Sequence, residues 1–374
     1  MPVPVAGAEP IALLDLEREQ AETHLLQHFR DRRQPAYRMA QALAWLYERD
    51  ASGFAGWTDL PAAEREALAA RFTLDTMTEA TIARSRDGTV KHLWRLHDGE
   101  LVESVLIPAG SRLTLCISSQ AGCAMACVFC ATGWSGYRRQ LTTGEIVGQF
   151  RGARRFARTH DLGDITNVVF MGMGEPLANR AAVMPALALL NHAYGMGARR
   201  ITVSTVGVVP GILELAARPE QFRLAVSLHA PDSALRARLV PIEQKHSLPE
   251  LLAALRTFDA AGGRRITFEY VLIDGLNDEP GHARALAALV REFRAHVNVI
   301  PFNPIPGTDW KPPSRARQRV FAATLEAGGV NATIRQARGL DIAAACGQLR
   351  AEHEVHPPKP YIALTRSRAV SAAG

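Results

Sequence analysis

Leu115-Cys116-Ile117-Ser118-Ser119-Gln120-Ala121-Gly122-Cys123-Ala124-Met125-Ala126-Cys127-Val128-Phe129-Cys130 holds four of the chain's five cysteines, and the last three follow the spacing C-x3-C-x2-C. Three thiolates on one compact loop suit three irons of a 4Fe–4S cube and leave the fourth iron open to a small molecule. A structural zinc site asks for four protein ligands, usually set as two close pairs. Only Cys127 and Cys130 make such a pair, Cys346 is more than two hundred residues away, and His160 stands alone among arginines. An electron-transfer ferredoxin site would add a fourth cysteine at short range, which this loop lacks. The loop therefore points to an iron–sulfur cluster that does chemistry on a bound molecule.

Beyond the loop, apolar runs alternate with amphipathic ones. Strands are expected at 166–171, 201–205, 224–228, 266–272, 297–302 and 332–335, and helices at 143–157, 181–194, 211–217, 248–260, 281–294 and 317–327. Apolar strands separated by crossover helices imply a parallel sheet, and six such units imply an α/β fold of the partial TIM-type (β/α)6 kind. Functional residues then belong at strand C-termini. The least ordinary segments fall there: Met171 to Pro176, Ser204 to Gly207, Ser227-Leu228-His229, and Asn303 to Gly307. Gly172 and Gly174 would let backbone approach a ligand closely, and Glu175 would accept hydrogen bonds from an ammonium group. Ser204, Ser227 and Asn303 offer hydrogen bonds to a ribose or carboxylate, although capping of strand ends explains such residues too. A histidine such as His229 is more often a satisfied core residue than a ligand; its shared place at one barrel mouth makes it a candidate.

Before the loop, 13–30, 36–48 and 62–72 carry apolar residues at helical spacing, and 89–107 reads as strands around the turn His97-Asp98-Gly99-Glu100. The expected organisation is a helical accessory unit over 1–90, connecting strands over 91–110, the barrel over 111–350 and a tail over 351–374. At 374 residues and 47% hydrophobic, the chain is long enough for one large core with a smaller appendage. No run of eighteen apolar residues suggests a membrane span, the N-terminus lacks a basic stretch followed by an apolar one, and an odd number of cysteines suits a reducing cytoplasm. The net charge is +6, and arginine or lysine gathers at 138–139, 151–158, 199–200, 264–265 and 311–319. Any one cluster reads better as a solvated helix face; together they favour a polyanion such as RNA.

The cysteine loop, the Gly174-Glu175 turn and the βα order resemble the radical S-adenosylmethionine superfamily. With Cys116-Ile-Ser-Ser-Gln120, Met171-Gly-Met-Gly-Glu-Pro-Leu177, Val226-Ser-Leu-His-Ala230, Phe302-Asn-Pro-Ile-Pro-Gly307 and Gly339-Leu-Asp-Ile-Ala-Ala-Ala-Cys346-Gly-Gln-Leu349, residues 35–350 closely resemble the RlmN family. These are 23S ribosomal RNA adenine-C2 methyltransferases that also modify tRNA. The resemblance implies that Cys123, Cys127 and Cys130 hold a 4Fe–4S cluster. It implies S-adenosylmethionine contacts from Gly174, Glu175, Ser204, Ser227, Leu228, His229 and Asn303. It further implies that Cys346 is the cysteine that becomes methylated, Cys116 its partner thiol and Glu103 the proton acceptor, with the N-terminal helices docking RNA.

In the family mechanism two S-adenosylmethionines are used per turnover. One methylates Cys346, and the second is reductively cleaved so that a methylene radical on Cys346 adds to C2, a carbon too electron-poor for polar methylation. Cys116 then assists proton loss as a thiolate and forms a disulfide with Cys346 as product leaves, with Glu103 sharing the proton transfer. The implied partners are 23S rRNA at the peptidyl-transferase centre, tRNAs at adenine 37, and an electron donor such as flavodoxin, with no membrane. Two other functions compete. One is C8 methylation of the same adenine, as in related antibiotic-resistance enzymes, against which Pro176 leans. The other is a non-catalytic iron–sulfur RNA-binding protein, for which Cys116 and Cys346 would be superfluous.

Overall fold

The computed structural model of the protein describes residues 9–74, 76–262, 265–353 and 355–371. Residues 1–8, where the reading of no signal peptide falls, Arg264 of one arginine pair, and residues 354 and 372–374 of the expected tail lie outside the described residues.

Three helices gather first. α1 (Arg18–Asp31), α2 (Tyr37–Tyr47) and α3 (Ala62–Arg71) form where apolar residues recur at helical spacing. Leu25, Leu46 and Leu68 are fully buried in the core they share, each contributing about 1.5–3 kcal/mol by leaving water. Glu64 is buried as well, with His28 Nε2 and Arg32 Nε each 2.8 Å from one of its oxygens, so that this carboxylate is paired on both sides. β1 (Ile11–Ala12) and β2 (Phe72–Thr73) pair in parallel and draw the ends of the unit together.

β3 (Met77–Arg84), β4 (Val90–Leu96), β5 (Leu101–Ala109) and β6 (Arg112–Cys116) follow as an antiparallel meander. The expected boundary at residue 90 falls on the first residue of β4, so the β3–β4 hairpin carries the sheet across it. β7 (Gln120–Gly122) and β8 (Tyr137–Gln140) then form a short antiparallel ribbon that encloses the cysteine loop and the one-turn helix α4 (Ala131–Trp134). α5 (Thr143–Thr159) opens on a capping box between Thr142 and Glu145. It leads into β9 (Asn167–Phe170), β10 (Ile201–Thr205), β11 (Arg223–Ser227), β12 (Ile266–Leu272), β13 (Ala295–Pro301) and β14 (Ala332–Ile334), all parallel. The crossovers are α6 (Arg180–Ala188), α7 (Val209–Ala217), α8 (Ser233–Leu239) with α9 (Leu248–Ala260), α10 (Pro280–Val290) and α11 (Arg315–Ala327), and α12 (Lys359–Ser371) ends the described chain.

The expected α/β architecture is present with one more parallel strand than the sequence suggested. The ten strands run in the order β14-β13-β12-β11-β10-β9-β6-β5-β4-β3. β6 pairs in parallel with β9 and heads the βα series, so Met171 to Pro176 follows the second parallel strand, not the first. The sheet curls strongly: Ile107 of β5 and Cys116 of β6 line one cavity with Ile300 and Pro301 of β13 and Arg335 beyond β14. Among the described residues β3 and β14 do not pair, and side chains shut the seam instead. Asp87 accepts from Gly339 N–H at 3.0 Å, Asp341 accepts from Ser85 Oγ and Arg86 N–H, and Lys91 Nζ donates to Ala343 O at 3.4 Å.

The helical unit docks on α5 through arginines. Arg154 binds Asp50 with two nitrogens and donates to Tyr47 O at 2.8 Å. Arg151 donates to Leu46 O and to Ala51 O, Arg155 to Asp50 O, and Arg158 to Glu48 O. The last carbonyls of a helix have no partner within it and carry partial negative charge; here the end of α2 is capped by guanidinium groups from α5. Arg151 and Arg154 are buried. The basic run 151–158, read as part of a polyanion surface, is in this respect a joint inside the protein.

Candidate active site

β6 delivers the chain to the cysteine loop, and the residues between them serve as scaffold. Ser118 N–H donates to Gln149 Oε1 at 2.8 Å, and Gln149 Nε2 returns a bond to Ser118 O at 2.9 Å. Ser118 Oγ donates to Glu103 O at 2.6 Å and accepts from Met173 N–H at 2.8 Å. Gln120 Oε1 accepts from Glu175 N–H at 2.8 Å. The Cys116-Ile-Ser-Ser-Gln120 stretch thus fixes the Gly-Glu turn beside the loop. A Cβ on Gly174, at φ +98°, would lie 2.5 Å from Gln120 Cβ, and one on Gly172 would lie 2.6 Å from Ile117 O. The neighbouring segment of protein thus also requires these glycines, which line the chamber as the expected approach of a ligand asks.

The cysteine loop is held along its length. Cys123 N–H donates to Gly136 O at 2.8 Å, and Val128 N–H donates to Leu239 O at 3.1 Å, at the end of α8. Cys123, Cys127 and Cys130 line a chamber of about 140 Å³ at the C-terminal ends of the parallel strands. Gly174 and Glu175 enter it after β9, Ser204 at the end of β10, Ser227 and His229 after β11, and Asn303 after β13. Cys346 completes the wall.

Three expected residues do not reach this chamber. Leu228 is fully buried, and its N–H donates to Glu269 O at 3.0 Å, so its side chain serves the core. Cys116 opens on a smaller neighbouring cavity of about 60 Å³. Glu103 lines neither: it is 3% exposed, its Oε2 accepts from Arg350 N–H at 2.9 Å and Ala351 N–H at 3.0 Å, and Oε1 is 2.7 Å from Lys91 Nζ.

Cys346 lines both cavities. Cys346 is exposed as a residue and forms a partition between the two cavities. Its loop is bolted to the cysteine loop and to β13. Ala131 N–H donates to Gly347 O at 2.7 Å, Thr132 Oγ1 to Leu349 O at 2.6 Å, and Asn303 Nδ2 to Cys346 O at 3.0 Å. Two residues outside every motif belong to the same partition. Arg335 lines the smaller cavity with both thiols, and its Nη1 is 4.0 Å from Glu269 Oε2. Glu269 lines the chamber and is buried, with Oε1 accepting from Asn298 Nδ2 at 2.9 Å and Oε2 without a hydrogen-bond partner among the described residues. An acid in the middle of the apolar run Ile266–Leu272 was the signal available for it.

Burial dominates the electrostatics. It pushes the Cys116 and Cys123 thiols each up to about 12, and those of Cys127 and Cys346 above their ordinary value, while Arg335 pulls Cys116 and Cys346 back. Burial also raises the Glu175 carboxyl to about 7 against bonds from Val206 N–H, the Thr205 hydroxyl and Leu177 N–H. His229 is lowered to about 3 by burial and then by Arg236, so its ring is neutral at pH 7. Its Nδ1 accepts from Val271 N–H at 3.0 Å, which places the proton on Nε2, a buried donor without a partner.

This donor set fits a 4Fe–4S cluster with S-adenosylmethionine. Iron takes thiolates, and its charge reverses the burial effect that keeps these thiols protonated. Among the described residues no three His, Cys, Asp or Glu side chains converge as ligands of a single ion; a cube takes one thiolate at each of three irons, so spaced cysteines serve it. A buried carboxylate that gains from a cationic partner and an unpaired Nε2–H suit an amino acid's ammonium and carboxylate.

Residues 117–286 match the Radical SAM superfamily. The chain is 51% identical over 342 residues to the probable dual-specificity RNA methyltransferase RlmN of Gemmatimonas aurantiaca, covering 91% of this chain and 93% of that one. It is 47% identical to the probable dual-specificity RNA methyltransferase RlmN of Synechococcus elongatus, over 85% of this chain and 88% of that one. Among solved structures it is similar to a radical SAM methyltransferase from Sphaerobacter thermophilus, with a TM-score of 0.87, 45% identity, and 92% of this chain and 100% of that one covered.

Proposed function

The chain belongs to the RlmN family of radical SAM, dual-specificity RNA methyltransferases, and on that premise we propose that it methylates C2 of an adenine in the peptidyl-transferase centre of 23S rRNA and C2 of adenine 37 in tRNAs. The observation that carries this reading is the position of Cys346 in the partition between the cluster chamber and the cavity of Cys116. A 4Fe–4S cluster held by Cys123, Cys127 and Cys130 would supply the electron that cleaves S-adenosylmethionine.

The chain's own residues do the rest. Glu175, fixed by Val206 N–H at 2.8 Å and Leu177 N–H at 3.0 Å, offers its carboxylate to the ammonium group of S-adenosylmethionine. His229 offers its unpaired Nε2–H, and Ser204 and Ser227 offer hydroxyls at the same mouth. On the other side of the partition, the adenine reaches the cavity of Cys116 after leaving its stack. Cys346, which lines both spaces, carries the carbon as a thioether. Cys116 takes the C2 proton and passes it to solvent, while the unpaired electron left by the addition returns to the electron carrier. As a thiolate, which Arg335 beside both thiols favours, Cys116 then attacks the Cys346 sulfur. The S–S bond forms as the sulfur–methylene bond breaks, the released carbon takes up a proton to become the methyl group, and an external thiol reduces the disulfide before the next turnover. Glu103, expected to share the proton transfer, also holds Arg350 and Ala351, and so the segment that carries Cys346.

The reading includes two S-adenosylmethionines per turnover, one for the thioether and one for its activation, and a low-potential donor of the flavodoxin type. It assigns RNA docking to the helical unit over 9–73 and residence to the cytoplasm. No helix of the described residues is long and apolar enough to cross a membrane. Mass spectrometry of nucleosides from a strain lacking its own enzyme and expressing this chain tests the assignment. The expected result is 2-methyladenosine in both 23S rRNA and tRNA; 8-methyladenosine, or no new nucleoside, would overturn it.

A further inference from the structure

We propose that Arg236 is a positioning residue for the iron–sulfur cluster, a fixed positive charge behind the wall of the cysteine chamber that makes the cluster easier to reduce. The inference rests on the reading that Cys123, Cys127 and Cys130 hold that cluster.

Arg236 lies in α8, and none of its side chain reaches solvent. Its Nη1 pairs with Glu243 and its Nη2 donates to Val206 O, while Nε–H is buried with no acceptor among the described residues. Val206, whose carbonyl takes the Nη2 bond, lines the same chamber as Cys127 and His229, so the guanidinium sits one residue behind the chamber wall. The same helix braces the loop: Leu239 O accepts from Val128 N–H at 3.1 Å, and Leu235 and Leu239 share a buried cluster with Cys127 and Val128. Val206, whose carbonyl Arg236 binds, gives its own N–H to Glu175 at 2.8 Å. One guanidinium thus supports both the cysteine loop and the turn that presents Glu175.

A buried cation with one carboxylate and an unused N–H is costly to keep. The arrangement gains its purpose from what the loop would hold. A cube with three thiolates is negatively charged, and more so after it takes an electron. In a site of low dielectric, a nearby positive charge stabilises the reduced form more than the oxidised one. Glu243, pairing with Nη1, opposes the effect.

The test is a potentiometric titration of the reconstituted full-length protein, with dithionite as the one-electron donor and the reduced cluster read by electron paramagnetic resonance. Arg236→Gln should lower the reduced-to-oxidised ratio at a fixed potential about tenfold, a shift of 59 mV for one electron. Glu243→Gln removes the counter-charge and should move the potential the other way, and Arg236→Lys should stay near the parent. A residue that is only a strut for α8 would lower cluster occupancy in these variants without shifts of opposite sign. Unmoved potentials, or shifts in the same direction, would overturn the inference. Should Arg236→Gln fail to retain iron, the direction of Glu243→Gln decides. A parent protein that never assembles a cluster would instead refute the underlying reading.

Discussion

Replacing Asp50 by Asn asks whether the arginines of α5 form an internal joint or an RNA surface. Asp50 is 1% exposed and meets Arg154 through both oxygens, with Arg158 Nη1 at 3.6 Å and Arg151 Nη1 at 3.8 Å. Two unit charges about 4 Å apart interact by about 4 kcal/mol at an effective dielectric of 20. Arg158 is half exposed and screened, so Arg151 and Arg154 carry most of that attraction. Desolvation of the carboxylate, several kcal/mol, stands against it. Removing one partner of such a group leaves the other charges buried without compensation, and the expected loss is about 3–5 kcal/mol. Urea unfolding of Asp50→Asn should show that loss, while the salt dependence of RNA binding by the folded protein should be unchanged. Were Arg154 a phosphate contact instead, Asp50→Asn would leave stability near the parent's, and Arg154→Met would flatten the log–log salt slope by about 0.7–0.9. That pair of results would refute the joint.

Substituting Ala for any one of Cys123, Cys127 or Cys130 should abolish iron incorporation and 5′-deoxyadenosine formation together; full activity with zinc and no iron would contradict the cluster. Cys346→Ala should never join RNA, whereas Cys116→Ala should stall with RNA bonded through Cys346, a difference visible as a shifted band on a denaturing gel, and a reversed pattern would mean the two thiols exchange roles. Glu103→Gln and Lys91→Met should slow methylation by similar factors, and the double variant should be no slower than either, because both act by holding one segment; additive losses would restore Glu103 to a separate proton-transfer role. An adenine locked in a stable duplex should react more slowly than one in a loop, and equal rates would count against base extrusion.

The parts of the fold that were legible in the sequence are those whose signal is local. β10 to β13 are short apolar runs between amphipathic segments, and that pattern alone places most functional residues at strand ends. β6 was missed because Arg112-Leu-Thr-Leu-Cys116 follows Pro108-Ala-Gly-Ser so closely that it reads as the tail of the preceding strands. α8 was missed because Ser-Ala-Leu-Arg-Ala-Arg-Leu is short and carries two arginines, although one of them is wholly buried. Four arginines over 151–158 look the same whether they face water or the end of another helix, since their acceptors lie about a hundred residues away. Glu103 illustrates the limit at the site: the family resemblance singled it out, but its partners at Arg350 and Ala351 appear only once the chain has folded.

The seam of the barrel joins residues separated by 252 positions, as in the bond from Gly339 N–H to Asp87. Contacts of such separation carry a high closure entropy and come late in assembly. The cluster cysteines, by contrast, lie within eight consecutive residues and can gather early. Cys346 sits a few residues beyond the seam, so the sulfur that in the proposed function carries the methyl group arrives with the final closure. On the proposed roles, competence is thereby tied to completion: a nascent chain would gather its three cluster cysteines before the thiol that takes the methyl group is in place.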